Sequence, residues 1–190
     1  METTSQAQAV FDPAAFGPEI AALLVPGRVA DLGPGHENHA VLPLLEKLNT
    51  QGTLVGKVAD RSMADCCLAG LWLYHDFLDR SHAICQAIDT PEGSYWHALM
   101  HRREPDFGNS MYWFDRVGQH PIFERLGREA TRQSPDFGER WDPFAFVDRC
   151  EAAIRQGGQR AELCRAVQHR EWQLLFGDCY RRALGLVLDE

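Results

Sequence analysis

No apolar run in the 190-residue sequence approaches the roughly 20 residues that a membrane-spanning helix needs, which excludes a helical span. The opening stretch, METTSQAQAVFDP, carries neither the basic nor the apolar region of a secretory leader. Basic residues are the minority, and the formal net charge is -8. That balance argues against a general nucleic-acid binder and against an anionic membrane surface as partner, because both demand a basic face. A CxxC pair is also missing. The six cysteines (Cys66, Cys67, Cys85, Cys150, Cys164 and Cys179) fall among apolar residues in helix-like segments. They are expected to be reduced, buried small hydrophobes of a cytoplasmic protein. There is no GxSxG, no HExxH, no Glu-x-x-His pair, no internal repeat and no low-complexity segment. Alternation of period two, the mark of a half-buried strand, is almost absent.

What remains is a chain of ordinary globular composition, 45% hydrophobic and 24% charged. Asp12-Pro13, Thr90-Pro91 and Asp142-Pro143 each place a capping side chain before a proline, the start signal of a helix. Ser62 is a further candidate cap, and Gly157-Gly158 is a stop. The fold predicted is all-α: a single-domain irregular helical bundle over residues 1–190, with 1–11 a flexible N-terminal segment. Its two long helices are expected at about 62–89 and 159–184, several short ones completing the bundle, with a two-glycine connection at 50–58.

Val29-Ala-Asp-Leu-Gly-Pro-Gly35 resembles the first cofactor-binding motif of methyltransferases that use S-adenosylmethionine. The resemblance covers seven residues and implies a strand running into a glycine turn. The alternating strands and helices that should follow are absent, as is an acidic ribose ligand. The reading adopted is a loop leading to a helix at 37–48.

Chemistry concentrates between Tyr95 and His120, a stretch holding three of the eight histidines. His97 and His101 are four residues apart, so on a helix they share one face and can chelate one divalent ion. One helix earlier, Leu68, Leu71, His75, Leu78, His82 and Cys85 follow one another by steps of three and four, so two histidines occupy an apolar seam. In the last helix, Glu171 projects from the side defined by Val167 and Leu174. A carboxylate there is costly unless paired.

Two functional expectations follow. The first is a metal-dependent enzyme of hydrolase type acting on a small anionic molecule. Its zinc, iron, nickel or manganese ion would be drawn to His75, His82, His97, His101 and Glu171. His97, His101 and Glu171 would be catalytic, and Asp79 or Asp106 would orient a ligand histidine. Arg102, Arg103, Asp106, Asn109 and Tyr95 would bind substrate. The second expectation is a non-catalytic binding or interaction module. Its histidines and Arg-Glu-Asp cluster would form a structural polar network, with Tyr-Trp pairs offering packing or a homodimer surface.

Overall fold

Thr90 shows how local chemistry sets the helix boundaries. Its Oγ1 accepts from Gly93 N at 3.1 Å, and Pro91 begins the helix behind it. Asp142 caps in the same way, accepting from Phe144 N and Ala145 N in front of Pro143. The computed structural model describes residues 11–48, 58–138 and 140–186. Residues 1–10 and nearly all of the expected 50–58 connection therefore lie outside the described residues.

Nine α-helices form among the described residues, with no strand. They are α1 (Pro18–Leu23), α2 (Leu42–Lys47), α3 (Arg61–Tyr74), α4 (Leu78–Cys85), α5 (Pro91–Arg103), α6 (Phe107–Val117), α7 (Ile122–Gln133), α8 (Pro143–Gln156) and α9 (Gly158–Ala183). The structure is thus the irregular all-helical bundle that the patterning predicts. Helix α5 packs on α3, α4 and α6, while α9 lies along α3, α7 and α8. The core between them is aromatic. Trp96 is fully buried, and Trp172 stacks on Phe176 with ring centroids 4.7 Å apart. Gly70 permits a close approach of α3 to α5, since a Cβ there would lie 2.8 Å from the Trp96 ring.

The long C-terminal helix is present as expected, at Gly158–Ala183. The other long helix is not one helix. It is divided at His75-Asp76-Phe77, and Asp76 adopts a left-handed φ of 67°. Phe77 N donates to Trp72 O at 3.0 Å and Asp76 N to Leu73 O at 3.1 Å, the paired bonds of a Schellman C-cap. The Trp72 and Phe77 rings meet edge to face at 5.2 Å, supplying the apolar contact of that motif. An aspartate replaces the usual glycine at its left-handed position, and two arginines hold it there (below). The break turns α4 away from the axis of α3, so the two seam histidines part company. Asp60 rather than Ser62 caps α3, accepting from Met63 N at 3.1 Å.

Val29–Gly35 forms no strand; it is an irregular loop preceding α2. Gly35 has φ 73°, and a Cβ on it would sit 2.6 Å from Asp76 Cγ. The glycine that resembles a cofactor-binding turn is there to let the Asp76 carboxyl come close.

Candidate metal centre

Helix α5 carries His97 and His101 one turn apart, and their rings stack at 4.8 Å between centroids with 15° between planes. His82 approaches from α4. Its ring lies 4.7 Å from that of His97 and 5.3 Å from that of His101. One potential ligand nitrogen from each of the three lies within 4.8 Å of the others. Tetrahedral ligands about 2.1 Å from a zinc ion are about 3.4 Å apart, so a modest closure of the rings would complete a site.

His97 and His101 are buried, whereas His82 is half-buried. Neither ring nitrogen of His97 has a hydrogen-bond partner, although both are buried. Buried polar atoms are normally satisfied, so this ring is short of a proton donor, an acceptor or a metal. Trp113 of α6 stacks on it at 3.9 Å and fixes its plane. Desolvation, with His101 and His82 close by, lowers the pKa of His97 to about 3. It therefore stays neutral at physiological pH, the state a metal requires.

His101 Nδ1 donates to Glu104 Oε2 at 3.1 Å. A carboxylate can only accept, so the bond fixes the tautomer and leaves Nε2 with its lone pair available. Burial lowers the pKa of His101 as well, with Glu104 opposing. Glu104 supplies the orienting carboxylate assigned to Asp79 or Asp106 on sequence. The signal lay in its spacing, three residues after His101 at the end of the same helix.

The other candidates fall elsewhere. His75 is a satisfied core histidine: Nε2 contacts Leu23 O at 2.9 Å and Nδ1 contacts Asn38 Nδ2 at 3.2 Å. Desolvation, then the Arg28 charge, lowers its pKa to about 4. The break before α4 is what separates it from His82. Glu171 is not a ligand in this arrangement. Arg102 Nη2 donates to its Oε2 at 2.5 Å and Tyr95 Oη to its Oε1 at 2.9 Å, all three side chains being buried. Tyr95 and Arg102 are consequently unavailable to a substrate. Arg102 also lies 4.7 Å over the Phe146 ring, and its Nε and Nη1 have no hydrogen-bond partner. Arg103 is committed too. It pairs with Asp76 at 2.5 Å and donates through Nε to Gly33 O at 2.7 Å and through Nη2 to Pro34 O at 3.2 Å. Arg28 pairs with the other Asp76 oxygen at 2.5 Å, so one carboxylate serves two guanidinium groups. Asp106 caps α6, accepting from Asn109 N at 3.2 Å and Nδ2 at 2.9 Å. Asp76, its partner Arg28 and the covering ring of Trp113 were not singled out by the sequence reading. Only a tertiary contact marks them.

A second group, Glu92, His120 and Asp178, has ligand-type atoms within 4.8 Å of one another. Desolvation raises the Glu92 pKa, but His120 and Arg182 outweigh it and hold the carboxyl at about 2. Arg182 pairs with Glu92 and lies 3.6 Å from Asp178. A cation is thus already supplied there by the protein, and the group joins the start of α5 to the end of α9. Compared with known proteins, the chain matches no family model, no curated protein and no solved structure.

Proposed function

We propose that the protein is a metalloprotein in which His82, His97 and His101 bind one divalent ion, and that the ion serves hydrolysis of a small anionic molecule. The observation that carries this reading is His97, a buried imidazole with two unpartnered nitrogens facing two further imidazoles. Three neutral ligands leave the full charge of a divalent ion in place, which favours an anionic group as its next ligand. They also leave a position open, and the chemistry such an ion supplies is activation of a bound water. The positive charge at the site would come from the ion, because Arg102 and Arg103 are both held in ion pairs.

The test is equilibrium dialysis of EDTA-stripped protein against zinc, iron(II), nickel or manganese. One equivalent per chain is expected for at least one of them, with loss of binding in His97→Ala and His82→Ala. Binding no stronger than that of a variant lacking all three histidines would overturn the reading. Turnover of phosphate and carboxylate esters by the loaded protein tests the hydrolytic part separately. A second reading, a non-catalytic module, is favoured by the Arg102–Glu171–Tyr95 network, which is sealed within the core. Stoichiometric metal without turnover of any ester would select it.

A further inference from the structure

Helices α8 and α9 form a hairpin about Gly157, with Cys150 seven residues before that glycine and Cys164 seven after it. Positions equidistant from the turn of an antiparallel pair face each other, and seven residues is close to two full turns, so both thiols return to the facing side. The structure agrees: the Cys164 sulfur lies 4.0 Å from Arg149 O, the carbonyl joined to the Cys150 nitrogen. The two thiols differ in their surroundings. Cys150 is fully enclosed, and Cys164, itself only 2% exposed, borders an open pocket of about 630 Å³ together with Arg149, Arg160 and Phe137. Among the described cysteines, burial pushes the thiol pKa of Cys67, Cys85 and Cys150 upward. Cys164 goes the other way. The Cys150 thiol donating to its sulfur, and the guanidinium charges of Arg102, Arg149 and Arg160, outweigh desolvation and bring it to about 7.

We propose that Cys164 is a modification site for hydroperoxides, and that its oxidation joins it to Cys150 by a disulfide linking α8 to α9. The Cys164 thiolate attacks one peroxide oxygen, the O–O bond breaks, and a sulfenic acid and hydroxide form. The hydroxide released takes the Cys150 proton, and the Cys150 sulfur displaces the hydroxyl group of the sulfenic acid, so a disulfide and water form, peroxide is reduced by two electrons and the dithiol oxidised by two. Peroxide would approach from the pocket that Cys164 borders, reaching the sulfur through a small opening of its cover, and the arginines stabilise the attacking thiolate. The proposal is independent of the histidine centre.

The experiment uses the unaltered, reduced, EDTA-treated chain with hydrogen peroxide at neutral pH, followed by denaturing alkylation and tryptic mass analysis. Two of the six thiols are expected to escape alkylation, with CEAAIR and AELCR recovered as one disulfide-linked pair. Cys164 should react about tenfold faster than an ordinary thiol, as its thiolate fraction dictates. In Cys150→Ser the reaction should stop at a sulfenic acid on Cys164 that dimedone traps. The proposal is overturned if both peptides are recovered alkylated while peroxide is consumed elsewhere. It is equally overturned if Cys164→Ser leaves oxidation of Cys150 undiminished.

Discussion

Glu104 holds His101 by a hydrogen bond of 3.1 Å between its Oε2 and the ring Nδ1, from a position at the C-terminal cap of the helix that carries the ring. The carboxylate is half exposed while the imidazole is buried, so the bond directs the ring at little cost to the core. Carboxylates in this position affect metal affinity through the ligand rather than by touching the ion. Replacing Glu104 by Gln is expected to weaken zinc binding about 10- to 100-fold. Thermal unfolding of the metal-free protein should barely move. Isothermal titration and calorimetry on the same samples separate the two effects.

Arg102 and Glu171 are each wholly buried, so removing one strands the other. Glu171→Leu should cost about 3–5 kcal/mol in urea unfolding. The double change Arg102→Met with Glu171→Leu should recover most of that loss, because two apolar side chains need no compensating charge. A double variant as unstable as the single one would mean that the ion pair itself, and not the abandoned charge, is what stabilises the core.

His75 and His97 both titrate below the ordinary imidazole range, at about 4 and about 3. The unfolded chain takes up these protons near 6.5, the folded protein only at the lower values, so stability falls as pH drops from about 6.5 toward 4. For His75 the loss at pH 5 is about 2 kcal/mol relative to pH 7. His75→Gln should lower stability at pH 7 yet flatten the pH 7-to-5 decline by that amount, measured by denaturant titration without metal. An unchanged slope would show that His75 takes up its proton at the same pH in the folded and unfolded chain.

Gly70 faces Trp96 with no room for a methyl group. Gly70→Ala is expected to destabilise by about 1–3 kcal/mol through overpacking, against the small gain in helix propensity that alanine brings elsewhere. Since α4 follows α3 and α5 carries Trp96, the same change should also weaken metal binding by displacing His82 relative to His97. Lost stability with unaltered metal affinity would separate the two contacts.

Caps made the helices readable. Thr90-Pro91, Asp142-Pro143 and Gly157-Gly158 have the same local chemistry in the chain and in the fold. The pairing of His97 with His101 followed from helical spacing alone, and their approach to His82 from two successive helices carrying histidines. The division after Tyr74 could not be read, because the left-handed residue is an aspartate whose two arginine partners lie 48 residues before it and 27 after it. That hidden turn is why His75 was grouped with His82. The arginines of His101-Arg102-Arg103 looked like substrate ligands because their charge is visible in sequence while their burial is not. Glu171 was rightly expected to need a partner, and its choice of Arg102 depends on helix packing that no local pattern encodes.

The loop from Arg28 to Asn38 has one buried side chain, Leu32, and owes its place to bonds from the helices around it. Arg103 holds Gly33 and Pro34, Gln168 holds Asp31, Asn38 N donates to His75 O, and Arg28 returns to Tyr74 and Asp76. Apolar burial sets the energy of global unfolding, whereas a segment fastened by a few polar tethers can detach alone. Amide hydrogens in this loop should therefore exchange through a sub-global opening, ahead of α3, α5 and α9. Asp76 is the common post for Arg28 and Arg103, so its loss would lower the energy of that opening while leaving exchange in the helical core nearly unchanged.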